Sequence, residues 1–220
     1  MNFFSHQSIF FTVLDYPMSY LEFFGTLSGA VAVWLSAKEN VWSWPIGLIN
    51  VTLLFFLFFQ VQLYPDMFLQ VFFFITNLMG WWRWTHPAPD EENKKLELKV
   101  SRVSQQQLLL LSSLGALGTL LFGLFAARLH QWWPSVFSQP SAFPFADSFV
   151  TIMSIVATYL MVQKKVECWL LWVAVDVVAT ILYFSKDIKL IGLEYLVFCF
   201  IAAFGFWKWR KEFMRITQVV

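Results

Sequence analysis

Charged residues are scarce in this sequence. Lys, Arg, Asp and Glu make up 13% of its 220 residues, whereas hydrophobic residues make up 59% and aromatic residues 20%. A water-soluble domain of this size carries about 25% charged residues. The shortage of charge excludes a soluble globular domain, and a polytopic, all-α membrane protein is the class that fits the composition.

Residues suited to catalysis or metal binding are also few. Cys168 and Cys199 have no metal-ligand spacing and are expected to be packing residues. His6, His86 and His130 lie outside the long apolar segments, and no G-x-S-x-G, P-loop or H-E-x-x-H motif occurs. We therefore predict no catalytic residue, no metal, no cofactor and no nucleic-acid partner. An intramembrane enzyme or lipid-modifying protein is a disfavoured alternative, because nucleophile–base sets are missing.

Basic residues are missing before Lys38. A secretory signal needs a basic region ahead of its apolar core, so none is expected. The apolar residues of the segment 1–20 are too few to span a membrane, and we expect a helix that lies in the membrane interface.

Long apolar windows are what the sequence has in abundance. A bilayer-spanning helix needs roughly 17–25 mostly apolar residues, so the windows predict seven transmembrane helices. The windows are 23–37, 42–60, 67–82, 103–127, 148–163, 169–185 and 190–207, and only the last two contain an acid.

The distribution of Lys and Arg predicts the orientation of these helices. Twelve of the 15 basic residues follow the first, third, fifth and seventh windows, and only Arg128, Lys186 and Lys189 lie on the other side. The positive-inside rule then places the N-terminus on the extracytoplasmic side of the membrane and the C-terminus in the cytoplasm.

An internal repeat is indicated by the endings of the third and seventh windows, GWWRW (80–84) and GFWKW (205–209). A shift of 125 residues aligns 22–84 with 147–209 at 13 identical positions of 63, among them Trp44/Trp169 and Gly80/Gly205. Two parallel three-helix repeats need one helix between them, which predicts a 3+1+3 arrangement. The predicted segments are an N-terminal interfacial segment 1–20, a first repeat 21–84, a cytoplasmic linker 85–102, a linker helix 103–127, an extracytoplasmic loop 128–146, a second repeat 147–210 and a cytoplasmic tail 211–220.

Polar residues inside the predicted spans are candidates for ligand contact, because buried polar groups in hydrocarbon are costly. In the first repeat they lie on two helical stripes, and in the second they include the only carboxylates well inside a span. The substrate-binding candidates are Trp44, Gly47, Asn50, Gln70 and Asn77 in the first repeat, and Trp172, Asp176, Tyr183, Glu194 and Tyr195 in the second.

Structural roles compete with this interpretation. Amides can join neighbouring helices, glycine can permit their close approach, and a buried carboxylate can pair with a tyrosine or an amide. If these residues form a ligand site, their aromatic rings would stack on a flat ring of the ligand, and their amides and carboxylates would bind the ligand's hydroxyl groups.

The sequence resembles the PnuC family of bacterial vitamin transporters over residues 20–210. The resemblance is carried by W-P-I-G-L-I-N (44–50), W-L-L-W-V-A-V-D (169–176), L-Y-F-S-K (182–186) and G-F-W-K-W (205–209). It implies a fold related to the SWEET and SemiSWEET sugar transporters, and a homotrimer in the bacterial inner membrane. It also implies facilitated diffusion of nicotinamide riboside, which a cytoplasmic riboside kinase then traps by phosphorylation.

Two other transport functions stay open. A proton-coupled carrier of a related vitamin, thiamine or riboflavin, would use Asp176 or Glu194. A SWEET-like sugar carrier is the second alternative, and its disadvantage is the heavy aromatic content of the spans.

Overall fold

The computed structural model describes residues 5, 7–13, 16–60, 64–93, 95–135, 140–185 and 189–218. His6, Lys94 and Lys186, which entered the sequence predictions, lie outside these residues. The chain folds as two compact units, Met1–Lys99 and Val100–Val220.

Seven α-helices occur in the described part of the chain, and each overlaps one apolar window of the sequence. They are α1 (Tyr20–Ala37), α2 (Ser43–Gln60), α3 (Tyr64–Thr85), α4 (Gln105–Trp132), α5 (Pro144–Val162), α6 (Cys168–Ser185) and α7 (Lys189–Gln218). Six of them are long and apolar enough to cross a membrane. The exception is α3, which has 22 residues but carries Gln70, Thr76, Asn77 and Arg83 along its length.

The N-terminal segment corrects one prediction. Instead of an interfacial helix, β1 (Ile9–Val13) and β2 (Tyr16–Ser19) form an antiparallel pair. The sequence of β1, IFFTV, consists of β-branched and aromatic residues, which favour strands, and Pro17 in β2 disfavours a helix interior. Phe10 packs against the rings of Tyr20 and Phe23 at the start of α1, with centroids 4.7 and 5.1 Å apart.

The start of α1 is fixed by a capping box. The Ser19 hydroxyl accepts a hydrogen bond from the Glu22 backbone N–H, and the Glu22 carboxylate accepts one from the Ser19 N–H at 2.7 Å. The same carboxylate accepts the Tyr16 hydroxyl proton at 2.6 Å. This hydrogen bond, with partial burial and the nearby charge, raises the pKa of Tyr16 to about 12.

In the first unit, α2 packs on both α1 and α3. Its core is built from leucines and phenylalanine at helical spacing, namely Leu21, Phe24, Leu53, Leu54 and Leu57. The segment after α3 is folded rather than extended: Pro89–Glu91 forms a 3-10 helix, and Glu92 bridges to Leu98. Leu98 donates its N–H to the Trp84 carbonyl near the end of α3 at 2.9 Å. Its side chain is buried, because it is an apolar residue in an otherwise polar segment.

In the second unit, α4 packs on α5, α5 on α6, and α6 on α7. The predicted loop is shorter than expected, and the predicted tail is largely helical. The helix α4 continues to Trp132 and α5 begins at Pro144, within the loop expected for 128–146, and residues 136–139 lie outside the description. The tail expected for 211–220 is helical up to Gln218, because its Lys, Arg, Glu and Met residues are good helix formers.

The two units contain corresponding helices at the 125-residue shift. Adding 125 to the bounds of α2 gives those of α6, and adding it to the start of α3 gives the start of α7. The loops before α2 and α6 also agree, since Glu39 and the shifted Lys164 both have positive φ, 59° and 52°. The N–H of Glu39 donates to Ser36 O and that of Lys164 to Met161 O, each at 2.9 Å.

Candidate functional site

The first-unit candidates lie where α2 contacts its two neighbours. Asn50 donates from Nδ2 to the Gly25 carbonyl of α1 at 2.8 Å. A Cβ atom added at Gly29 would lie 2.9 Å from the same nitrogen, so glycine allows α1 to approach the amide. Asn50 therefore joins α1 to α2, and its carboxamide oxygen is the atom that this bond leaves unused.

Gly47 and Asn77 form the matching contact between α2 and α3. A Cβ atom at Gly47 would lie 2.2 Å from Oδ1 of Asn77, which is closer than any side chain permits. The Asn77 Nδ2 donates to the Phe73 carbonyl one turn earlier at 2.8 Å. Gln70, two turns before Asn77 on α3, is 7% exposed.

Trp44 is a packing residue in this structure rather than an open stacking surface. It is 5% exposed, and its ring meets Trp84 edge to face with centroids 5.2 Å apart. A Cβ atom at Gly80 would lie 2.3 Å from the Trp44 ring, so α3 is in contact with the indole. The Trp44 Nε1 is buried and has no hydrogen-bond partner among the described residues.

The second unit repeats this arrangement. Trp169 meets Trp209 edge to face with centroids 5.5 Å apart, and a Cβ atom at Gly205 would lie 2.6 Å from the Trp169 ring. Trp169 is fully buried. Three of the identities at the 125-residue shift thus correspond to one tryptophan–glycine–tryptophan packing unit that occurs in each of the two units.

The remaining second-unit candidates lie on α6 and α7. Asp176 is 3% exposed, and its backbone carbonyl accepts the Thr180 hydroxyl proton at 2.7 Å. Trp172, one turn before Asp176, is half-buried, and its Nε1 has no hydrogen-bond partner among the described residues.

An aromatic pair continues this face of α6 and α7. The rings of Tyr183 and Tyr195 stack with centroids 5.4 Å apart and planes 10° from parallel. Phe198 meets Tyr195 edge to face at 6.3 Å. Glu194 is half-buried beside Tyr195.

Sequence reasoning missed Phe198 and Cys199 as neighbours of the candidates. Both lie one turn beyond Tyr195 on α7, so helical spacing from that tyrosine was the available signal. Within the residues that the structure describes, no group of three or more His, Cys, Asp or Glu side chains could hold a metal ion. The α6–α7 face can instead offer a carboxylate, two phenols and an indole to an organic ligand.

Comparison with known proteins identifies the family. The model of the family described as nicotinamide mononucleotide transporter matches residues 19–211. The chain belongs to this family. The resemblance to PnuC transporters stated from the sequence motifs is confirmed by this match together with the similarity to PnuC proteins.

Individual relatives agree with the family assignment. The chain is 34% identical to the nicotinamide riboside transporter PnuC of Escherichia coli, with 95% of this chain and 94% of the relative covered. It is 22% identical to the riboflavin/roseoflavin transporter RibM of Streptomyces davaonensis over 96% of this chain and 93% of the relative. A crystal structure of the vitamin B3 transporter PnuC covers 89% of this chain and 83% of its own, with 23% identity and a TM-score of 0.66. The chain is thus a multi-pass membrane protein of a transporter family.

Proposed function

We propose that this protein carries nicotinamide riboside across the bacterial cytoplasmic membrane by facilitated diffusion. The observation that carries the proposal is its identity of 34% with a nicotinamide riboside transporter over nearly the whole of both chains. The polar and aromatic composition of the candidate site suits this ligand, which has a cationic ring, a carboxamide and ribose hydroxyls. A riboside kinase in the cytoplasm would keep the imported molecule inside by phosphorylation.

The candidate residues would have distinct roles. Trp172, Tyr183 and Tyr195 would stack on or enclose the cationic ring. Asp176 and Glu194 would accept hydrogen bonds from ribose hydroxyls. The two carboxylates would also complement the positive charge of the ring.

The first-unit amides would act through their oxygens. The Nδ2 atoms of Asn50 and Asn77 already donate to backbone carbonyls, which leaves the Oδ1 atoms to accept hydrogen bonds from the ligand. Gln70 would supply a third amide. Trp44 and Gly47 would shape the site by holding α2 against α3.

We further propose seven spans in a 3+1+3 arrangement, with α3 as a span, an extracellular N-terminus and a cytoplasmic C-terminus. The equal helix bounds at the 125-residue shift and the tryptophan–glycine–tryptophan unit in each repeat support the arrangement. The distribution of Lys and Arg supports the orientation. A homotrimer is proposed by family resemblance.

A riboflavin carrier is the second candidate function, because the chain also matches the riboflavin/roseoflavin transporter RibM over almost its full length. Uptake into liposomes that contain the purified protein distinguishes the two. We expect labelled nicotinamide riboside to equilibrate without ions or ATP, and riboflavin and thiamine to enter no faster than into protein-free liposomes. Equilibration of riboflavin but not of nicotinamide riboside would reverse the assignment.

A further inference from the structure

The segment before α4 is bound to the loop before α6, within the second unit. The N–H of Ser101 donates to the Lys164 carbonyl at 3.1 Å, and the N–H of Val166 donates to the Ser101 carbonyl at 3.0 Å. These two bonds form a short parallel bridge. We call the residues 101–103 and 164–167 the linker clasp.

Glu167 is the residue through which the linker clasp reaches α6. Its carboxylate accepts hydrogen bonds from Arg102 Nε at 2.8 Å and from the Val103 N–H at 3.0 Å. Its backbone carbonyl accepts the N–H groups of Leu170 at 3.1 Å and Leu171 at 3.3 Å, in the first turn of the helix. A carboxylate at this end of a helix also interacts favourably with the helix dipole. One residue therefore joins the segment before α4 to the start of α6.

The first repeat lacks this connection. At the 125-residue shift, the place of Glu167 is taken by Trp42, which is 68% exposed and carries no carboxylate. The backbone of the loop is nevertheless the same in both repeats, as the positive φ of Glu39 and Lys164 shows. The carboxylate is thus an addition to the repeat that also contains Asp176, and the loop conformation does not require it.

We propose that Glu167 is a positioning residue that fixes the start of α6 and, through this helix, the placement of Trp172 and Asp176. These two residues follow Glu167 by five and nine positions on a continuous helix, so a shift of the first turn moves both. The consequence for ligand affinity rests on the proposed function. The placement of α6 against α7 can be measured without any ligand, because Cys199 lies one turn beyond Tyr195, the α7 residue that stacks on Tyr183 of α6.

The experiment measures the rate at which a maleimide labels Cys199 in the purified full-length protein. The background is Cys168→Ser, which removes the buried second thiol and introduces the residue type found at the corresponding position, Ser43. In this background we expect Glu167→Gln to change the labelling rate by about two- to fivefold, the size expected from losing one bridge whose Arg102 end is 63% exposed. The exchanged pair R102E with E167R should restore the rate only in part, because arginine at position 167 can re-form the ion pair but cannot accept the Val103 N–H.

Glu212→Gln is the matched control. Glu212 pairs with Arg215 at 2.6 Å within α7, so its loss removes an ion pair of the same type without releasing α6. We expect its labelling rate to equal that of the background. Arg102→Gln replaces Glu167→Gln if the latter protein does not fold, and it should change the rate in the same direction.

Binding of nicotinamide riboside by calorimetry completes the test. We expect Glu167→Gln to weaken binding by about two- to fivefold and Glu212→Gln to leave it unchanged. A folded Glu167→Gln or Arg102→Gln protein that labels at the background rate would overturn the positioning role. A changed labelling rate with unchanged riboside affinity would leave that role intact and count against the proposed ligand contacts of Trp172 and Asp176.

Discussion

Gly47 on α2 lies directly against the carboxamide of Asn77 on α3. A methyl group at position 47 would come within 2.2 Å of Oδ1 of Asn77, so the distance between the two helices depends on the absence of a side chain. At the 125-residue shift the same two positions hold Trp172 and Ala202. The larger side chain of the pair is thus Asn77 on α3 in the first unit and Trp172 on α6 in the second unit.

Gly47→Ala should destabilise the protein by about 1–3 kcal/mol, because the added methyl group forces α2 and α3 apart. The change should be visible as a lower midpoint of thermal unfolding in detergent. Gly118→Ala is the control, since its Cβ would lie 3.2 Å from Ile152, a contact that a shift of a few tenths of an ångström relieves. Adding Asn77→Ala should recover part of the loss, and an undisturbed midpoint in Gly47→Ala would contradict the contact.

Trp44→Ala should mainly lower stability, whereas Trp172→Ala should mainly weaken ligand binding. Trp44 is buried against Gly80 and Trp84, so its removal should cost about 3–5 kcal/mol of stability. Trp172 is half-buried, and its removal should weaken riboside binding by about 1–3 kcal/mol, the value of stacking in other aromatic sites. Calorimetry and thermal unfolding on both proteins measure the difference, and normal affinity in Trp172→Ala would assign this ring to packing.

Asp176→Asn should weaken ligand binding. We expect neither this variant nor the unmodified protein to concentrate ligand. A facilitator needs no residue that changes charge during transport, so an imposed proton gradient should produce no accumulation in liposomes. If the unmodified protein accumulates ligand under such a gradient and Asp176→Asn only exchanges it, Asp176 is a coupling residue. The same comparison with Glu194→Gln tests the second carboxylate.

Tyr16 should ionise only near pH 12. Its hydrogen bond to Glu22 favours the protonated phenol in the folded state, above the ordinary pKa of 10.0. The bond therefore contributes to stability fully below pH 10 and is lost as the pH rises through about 12. An ultraviolet difference titration of the native protein against Tyr16→Phe measures this pKa, and Glu22→Gln should lower it toward 10.

Hydrophobic patterning was enough to predict all seven helices, because lipid-exposed apolar runs have few alternative structures. It failed for residues 9–13 and 16–19, which were expected to be part of a helix too short to span the membrane. Their sequences, IFFTV and YPMS, favour strands. The repeat was visible because Trp44, Gly80 and Trp84 form a contact that tolerates little change, so the identities survive at those positions.

The candidate site was less predictable. Helical spacing located Asp176, Tyr183 and Tyr195, but not the fact that Tyr183 and Tyr195 stack, since that depends on how α6 meets α7. Asn50 was expected to contact ligand, which stays a prediction, and its Nδ2 also donates to a carbonyl of α1. Neither the spacing nor the composition of a single helix can distinguish these two uses of an amide.

The equal helix bounds in the two units also limit how the two segments can differ in length. Of 63 aligned positions, 63 − 13 = 50 differ in residue type, yet the starts of α2 and α6 and those of α3 and α7 keep one spacing of 125 residues. A single inserted or deleted residue within a helix turns everything beyond it by about 100° and carries Gly80 or Gly205 away from its tryptophan. The two segments can therefore differ in residue type at most positions, whereas a change in length between the two tryptophans of either segment would break its tryptophan–glycine contact.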